Sequence, residues 1–396
     1  MTIPTPDLET YPGEPAVSTV AVTDETVAVT WADGYEAAFH HIWLRDNCAC
    51  GVCLDPVSRE RLHGFLDLPP DPHPASASPT SGGLEVVWDD GHASCYHPGW
   101  LRAFDYHGGS RPSSERDVVT WGSGFDVPIL DATEVMTDDH VRHELVEAVY
   151  RVGLVLVSDS DPALEAFEAF VARVGLMRNM NWKAIYEIDT TIDEAYIANR
   201  STPIEPHTDA ATREYQPGVT IFQCVANEVA GGESVWVDGF RLAELLQEHH
   251  RDAWELLSTV PWELANRSTE THYRWNAPVF DLWPDGRIRF VRDLNWLREP
   301  LRLDPELVPR MYAAYRTLAE LKADPGNQIE HRLVAGEIAL VDNRRVLHAR
   351  HRFDQGSGRR CLRTSYVDHD ELMSTIRLHA RADSGRGRRA FRSRGT

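Results

Sequence analysis

Apolar and polar residues alternate from residue 20 to 40, in VAVTDETVAVTWADGYEAAFH, with a break at Ala32-Asp33-Gly34. A period of two sends successive side chains to opposite faces of a strand, and Asp-Gly supplies turn chemistry, so this stretch predicts a β-hairpin. A second alternating run, LEVVWDDGHASCYH, starts at Leu84, after a Pro- and Ser-rich stretch over residues 69–83 that reads as a loop. The polar run HGGSRPSSERD, residues 107–117, reads as connecting chain. Residues 15–102 are therefore expected to form a small β-rich module and residues 103–126 a linker.

Beyond residue 127 the periodicity changes to that of helices. DDHVRHELVEAVYRVG places Val141, Leu145, Val149 and Val152 on one face, and PALEAFEAFVARVGL does the same with Leu164, Phe167, Val171 and Val174. LVLVS between them reads as a short buried strand. Strand-like runs then dominate: VTIFQCV, GGESVWVDG, IRFV, EIALV and CLRTSYVD, with RLAELLQEHHRDAWELL as one inserted helix. Helices first and strands afterwards predict an α+β domain, mainly β, with a barrel or sandwich core over residues 127–380. No internal repeat is visible.

The length of 396 residues leaves room for two domains, and 42% apolar with 26% charged residues is ordinary for a globular chain. No apolar run approaches the ~18 residues of a membrane span. The first residues, MTIPTPDLETYPGEP, lack the basic start and apolar middle of a signal peptide, so a cytoplasmic location is expected. A net charge of −21 excludes nucleic acid as the main partner, because phosphate contacts need a basic surface. Residues 381–396 run against that trend with six Arg and one Asp, and read as a disordered Gly/Arg/Ser tail. An RNA-binding or subunit-docking role for the tail is the alternative.

Three of the six cysteines, Cys48, Cys50 and Cys53, fall within six residues. In a reducing compartment such a cluster holds metal more often than a disulfide, and zinc with four ligands closes a structural site. A fourth ligand has to come from elsewhere. His92, in the turn Asp89-Asp90-Gly91-His92, is well placed to reach back, and His63, Cys95 and His97 are its rivals. Metal binding would also supply folding free energy that so small a module lacks. The bland reading is three unpaired thiols beside a turn.

His207-Thr208-Asp209 lies in IEPHTDAA, and His348 in VDNRRVLHARHRF, with Arg360 twelve residues further on. A His-x-acid pair is weak evidence alone: 18 His and 61 acidic residues in 396 give 18 × 61/396, or roughly three, by chance, and there are three. His250/Asp252 sits within a helical pattern, where residues two apart diverge, and His369/Glu371 sits in an acidic, surface-like stretch. His207 and Asp209 differ, because Pro206 favours extended backbone, in which positions two apart share a face. Two imidazoles and one carboxylate cover one face of an iron octahedron and leave three positions open, enough for a chelating keto acid and dioxygen. The bland reading is a surface turn plus a satisfied core histidine.

WLRDNCACGVC, the His92 turn, EPHTDA, PGV, GGESVWVDG, AGEIALVDNRRVLHARHRF and RCLRTSYVDHD follow one another from about residue 42 to 382. In that order they resemble the γ-butyrobetaine and trimethyllysine dioxygenase branch of the taurine-dioxygenase-like superfamily. The resemblance implies a double-stranded β-helix (jelly-roll) catalytic domain with flanking helices behind a small zinc-binding N-terminal domain. It implies dependence on Fe(II) and 2-oxoglutarate, use of O2, and a homodimer, since some members are dimeric. Position by position it makes His207, Asp209 and His348 the iron ligands, Arg360 the partner of the 2-oxoglutarate C5 carboxylate, and Ser234 a hydroxyl that helps hold the cosubstrate. Cys48, Cys50, Cys53 and His92 become the zinc ligands. A guanidinium matches a carboxylate with two parallel hydrogen bonds, but Arg359 and Arg363 are close enough in sequence to be confused with Arg360.

The betaine-using members surround a trimethylammonium group with aromatic rings, a cation–π device. Trp182, Tyr186 and Tyr366 keep aromatic positions of that pattern, whereas Asn199 and Ala210 stand where the betaine hydroxylases carry tyrosine. Phe290-Val291-Arg292-Asp293 departs from an Asn-rich segment, and Arg292 is a candidate partner for an anionic substrate group. The expectation is therefore a hydroxylase acting on an unactivated C–H of a small, quaternary-ammonium or amino-acid-like molecule. The presence of Asp209 favours oxygenation over halogenation, which would need a small residue there. The alternatives are a desaturation or cyclisation outcome, a protein side chain as substrate, and a non-catalytic jelly roll that only binds metal or ligand.

Overall fold

The computed structural model describes residues 3–107, 118–189 and 200–384. The chain divides into two compact units, Met1–Glu115 with Ala380–Thr396, and Arg116–His379. In the first unit, β1 (Val17–Val22), β2 (Thr26–Trp31) and β3 (Glu36–His40) form an antiparallel meander. The short helix α1 (His41–Asp46) precedes the cysteine cluster. A second antiparallel sheet follows, of β4 (Pro74–Thr80), β5 (Gly83–Trp88) and β6 (Ala93–Tyr96), and then α2 (Pro98–Ala103). The alternation seen in the sequence is realised: Val27, Val29 and Trp31 of β2 and Leu84, Val86 and Trp88 of β5 all enter one core with Phe39 and Trp100. The Pro/Ser-rich stretch expected to be a loop instead carries β4. It is an edge strand paired only with β5, and an edge tolerates Pro74 and Pro79, which cannot donate to a ladder on both sides.

The second unit opens with β7 (Ile129–Asp131), α3 (Ala132–Thr137), α4 (Asp139–Val152), β8 (Leu154–Ser158), α5 (Leu164–Val174) and β9 (Ile185–Asp189). Next come β10 (Ile204–His207), β11 (Val219–Asn227), β12 (Ala230–Gly231) and β13 (Ser234–Asp238), then α6 (Gly239–His249) and α7 (Arg251–Thr259). β14 (Trp262–Arg267), β15 (His272–Ala277), β16 (Phe280–Leu282), β17 (Ile288–Val291) and α8 (Leu307–Ala323) follow. The chain ends with β18 (Gln328–His331), β19 (Ile338–Asp342), β20 (Val346–Arg350), β21 (Phe353–Asp354), β22 (Arg360–Val367) and α9 (His369–Ser384). Two sheets make the jelly roll: β10-β20-β13-β18, and β7-β8-β19-β11-β22-β9. Their inner faces share a core of Leu154, Leu156, Cys224, Trp236, Ile329, Val341, Val346 and Leu362. Helices α3, α4, α5 and the start of α9 cover the outside of the larger sheet, and α6, α7 and α8 pack on the smaller one through Val237 and Leu347. β8 and β19 are buried on both faces, which is why they read as unbroken apolar runs.

Several local expectations shift. The single inserted helix is two, because His250 leaves helical geometry at φ −138°, ψ 56° and is exposed between α6 and α7. On α5 Leu164 is exposed at the first turn and Phe170 fills the core instead; on α4 Val146 joins Leu145 and Val149, with Val141 and Val152 only half-buried. Of the stretch expected to be a linker, residues 103–107 and 118–126 are described. Trp121 is buried in the inter-sheet core, donates through Nε1 to the Val152 carbonyl (2.6 Å), and donates its backbone N–H to Asp238 Oδ2 (3.1 Å). Residues 108–117 lie outside the described residues, as does the tail beyond residue 384. Among the described residues no helix is long and apolar enough to cross a membrane.

A buried ion pair pins the corner of the smaller sheet. Asp238 caps α6 through the Phe240 N–H and receives Arg345 Nε (2.9 Å) and Nη2 (2.6 Å), while Arg345 also donates to the Arg151 and Val119 carbonyls. Both side chains are essentially sealed from water. Arg345→Met is expected to lower stability by about 3–5 kcal/mol, because it strands a buried carboxylate. Urea unfolding of the wild type and variant checks this.

Candidate active site

The antiparallel pairing of β10 with β20 sets His207 directly opposite His348. Asp209 is the second residue beyond the strand, in a turn where Ala210 adopts φ +53°, a left-handed conformation unusual for a residue with a Cβ. One carboxylate oxygen, Asp209 Oδ1, lies 3.5 Å from Nε2 of His207 and 3.5 Å from Nε2 of His348. The other, Oδ2, accepts the Tyr366 hydroxyl at 3.1 Å and the Thr220 hydroxyl at 3.4 Å. His207 Nδ1 sits 2.9 Å from the Glu205 carbonyl, which fixes its N–H there and turns Nε2 to the shared centre. The three donor atoms lie within 4.8 Å of one another, so the set fits a divalent ion with one side left open.

The electrostatics suit a cation. Burial works against the Asp209 charge, but the neighbouring imidazoles outweigh it and hold the carboxyl well below the usual range. Burial, reinforced by His348, pushes the His207 imidazole down, which keeps it neutral and ligating. Burial and the adjacent Asp209 push the Tyr366 hydroxyl well above its ordinary value, so it remains a donor.

The segment is locked from behind. Asn343 accepts the Asp209 N–H (2.7 Å) and returns a bond to the Asp209 carbonyl (3.0 Å). Thr208 exchanges two bonds with the backbone of Asp293 (2.8 and 3.1 Å). The Asp293 carboxylate holds Lys322 Nζ at 2.5 Å, with the two side chains 2% and 4% exposed, and Lys322 also reaches the Pro206 carbonyl at 3.2 Å. None of Asn343, Asp293 and Lys322 was assigned a role from the sequence.

The triad opens into a cavity of about 610 Å³. On β22, Arg360, Leu362, Thr364 and Tyr366 recur at period two and all line it, as do Tyr186 of β9 and Ser234 and Trp236 of β13. The same parity removes the rivals. Arg359 pairs with Asp189 (2.8 Å) and Arg363 with Glu187 (2.8 Å), neither of them lining the cavity. Arg360 is 3% exposed, and burial lowers its pKa to about 10, still fully cationic at neutral pH. Trp182 lines the cavity with its ring edge-on to Tyr366, centroids 6.2 Å apart. Asn199 lies outside the described residues. Trp296, 4.7 Å from the His207 ring, Phe222, 5.2 Å from His348, and Arg350 complete the walls nearest the triad and were missed. Period two counted outward from His348 and Arg360 could have found Arg350, but nothing local marks Trp296.

Arg292 is not where the sequence expectation required. It is 3% exposed, does not line the cavity, and spends its guanidinium on backbone carbonyls: Ala211 (2.6 Å), Glu214 (3.1 Å) and Arg213. It braces the loop after Asp209 instead of meeting substrate. His369 is half-buried at the start of α9 and belongs to no metal-ligand cluster among the described residues.

In the first unit, His92 Nε2 lies 3.3, 3.8 and 3.6 Å from the sulfurs of Cys48, Cys50 and Cys53. Tetrahedral zinc with arms of roughly 2.3 Å to sulfur and 2.1 Å to nitrogen needs an S···N edge of about 3.6 Å, so the four donors fit that ion. Burial pushes the Cys48 thiol up to about 12 and lowers the His92 imidazole. The rivals His63, Cys95 and His97 are not part of the cluster.

A His-x-Asp and a distant His converging on one open-sided metal position inside a jelly roll, with a buried arginine in the same cavity, define a non-haem Fe(II) oxygenase that uses a 2-oxo acid. Residues 115–365 match taurine catabolism dioxygenase TauD, TfdA family, and residues 19–103 match gamma-butyrobetaine hydroxylase-like, N-terminal. The chain is 38% identical to the gamma-butyrobetaine dioxygenase of Pseudomonas sp. (strain AK-1), across 93% of this chain and 98% of that one. It is 27% identical to the mitochondrial trimethyllysine dioxygenase of Gallus gallus, across 86% and 83%, and 24% identical to human gamma-butyrobetaine dioxygenase, across 90% and 95%. The chain belongs to the TauD/TfdA dioxygenase family, and it is an Fe(II)- and 2-oxoglutarate-dependent dioxygenase.

Tyr366→Phe keeps the ring but removes the hydroxyl that fixes Asp209. It is expected to weaken divalent-metal binding about ten-fold or more, read by Co(II) titration of the metal-free enzyme.

Proposed function

We propose that this enzyme hydroxylates a C–H bond of a small quaternary-ammonium compound, with γ-butyrobetaine the first substrate to test. The observation that carries the reading is one cavity lined by Trp182, Tyr186 and Tyr366 together with His207, Asp209 and His348. Aromatic faces attract a cation that cannot form hydrogen bonds, and a trimethylammonium group is such a cation. The relationship to gamma-butyrobetaine dioxygenase supports the same class.

In this reading His207, Asp209 and His348 hold iron, and the Arg360 guanidinium takes the C5 carboxylate of 2-oxoglutarate, with Ser234 beside it. When bound, iron and 2-oxoglutarate supply the oxidation: O2 and 2-oxoglutarate become carbon dioxide and succinate, and one oxygen atom enters the substrate C–H. The chain's own work is orientation. Tyr366 and Thr220 fix the Asp209 carboxylate, Glu205 sets the His207 ring, and Trp182 with Trp296 shields the reacting centre from water. The reading also includes zinc held by Cys48, Cys50, Cys53 and His92, a homodimer, and a cytoplasmic setting. Metal analysis of the pure protein, expected to give one zinc per chain that survives removal of iron, checks the first.

The deciding experiment is succinate release with Fe(II), ascorbate and a panel of quaternary amines and free amino acids. γ-Butyrobetaine or a related betaine is expected to stimulate turnover; stimulation only by compounds without a quaternary nitrogen defeats the reading. Trp182→Ala is expected to raise the KM of the amine about ten-fold and that of 2-oxoglutarate far less. Equal effects on both would remove the aromatic recognition.

A further inference from the structure

We propose that Arg213 is the anion-binding residue of the substrate site, so that the substrate is a zwitterion whose carboxylate faces Arg213. The identity of its other end rests on the quaternary-ammonium reading above. The residue lines a side lobe of about 140 Å³ that reaches the metal position, because His207, Asp209 and Trp296 form its inner wall. Trp182 and Asn266 belong to both the lobe and the main cavity, so the two communicate.

The charges of this region single out Arg213. Arg267 lines the main cavity but is neutralised by a two-pronged bond to Glu299 (2.6 and 2.7 Å). Arg350 donates to the carbonyls of Arg200 and Thr202, and Arg360 lines the main cavity without entering the lobe. The Arg213 guanidinium gives one N–H to the Asn181 amide oxygen, and its Cζ lies over the Tyr273 ring, 3.9 Å from the centroid, and 5.9 Å from the Trp182 centroid. These partners are all neutral. Among the described residues no carboxylate lies within ion-pair distance of it. A guanidinium has five donors in a rigid fork shaped for a carboxylate, and stacking on an aromatic ring holds that fork still.

The arm is also aimed. The Arg213 N–H donates to the Ala210 carbonyl (2.9 Å), and its own carbonyl is gripped by the buried Arg292. The left-handed turn at Ala210 carries the chain away from Asp209, and Arg213 lines the same lobe as His207 and Asp209. The loss of a tyrosine at position 210 has a consequence here: a small side chain leaves the lobe open. A second cation is unwelcome beside Arg213, so the ammonium end is directed to the wall made by Tyr186 and Tyr366 and the acid end to the lobe.

The experiment measures succinate release by the iron-loaded enzyme with γ-butyrobetaine, its methyl ester, choline, γ-aminobutyrate and lysine, for wild type, Arg213→Gln and Arg213→Lys. Wild type is expected to prefer the free acid over the ester. Arg213→Gln is expected to raise the KM of the acid about ten- to a hundred-fold while moving those of the ester and 2-oxoglutarate far less, and Arg213→Lys to recover part of the loss. A merely structural role for Arg213 would shift acid and ester alike. Equal use of acid and ester by wild type, an acid-to-ester ratio unchanged in Arg213→Gln, or a panel in which no carboxylate compound stimulates turnover overturns the proposal. Should only γ-aminobutyrate or lysine respond, and respond through Arg213, the quaternary-ammonium reading fails and the anion site stands. If the Gln variant does not fold, the acid-to-ester ratio of Arg213→Lys decides.

Discussion

The pairing of β10 with β20 is the constraint on which the site depends. It brings His207 and His348, 141 positions apart, to the same point with their rings 4.2 Å between centroids. Strand pairing fixes register, and a slip of one residue would turn His348 to the other face. β20 is itself held on its far side by β13, where Trp236 opposes His348. The metal position is thus a property of three adjacent strands, and Asp209 is added to it by the turn that ends the first.

Buried charge does the remaining fixing. Lys322 with Asp293, Arg345 with Asp238, and Arg292 with three carbonyls each tie a loop to a distant element. Ionised groups are costly to bury, so each persists because its partners are complete. Lys322 with Asp293 and Arg292 stiffen the backbone from Pro206 to Glu214, which carries two of the three triad residues, while Arg345 and Asp238 pin the corner of the smaller sheet. The cations that line the cavity are different in kind. Arg360 retains its charge in a space large enough for a ligand, and Arg213 is held by rings and an amide instead of a carboxylate.

Much of this was legible beforehand. The alternating runs that became β2, β5 and β6, the helical stripes of α4 and α5, and the fully apolar β8 and β19 follow from side-chain period alone. The cysteine cluster and the His-x-Asp pair were visible as spacing, and the family resemblance joined them to His348 and Arg360. β4 was not legible, because edge position, which the local composition does not encode, decides whether a Pro/Ser-rich stretch can pair. The packing of Trp121 was hidden for a similar reason: it is settled by Val152 and Asp238, far along the chain.

The two arginines of the 290 and 213 regions draw the boundary most clearly. Sequence alone determined which residues could ligate a metal, since ligand chemistry is a property of the side chain itself, and it offered Arg292 as an anion partner. Whether a given guanidinium meets a ligand or a carbonyl is a question of direction and burial. Arg292 faces inward to the backbone of its own domain, while Arg213 stands over the lobe, and only the folded arrangement of β10, the Ala210 turn and the β14–β15 hairpin assigns those directions.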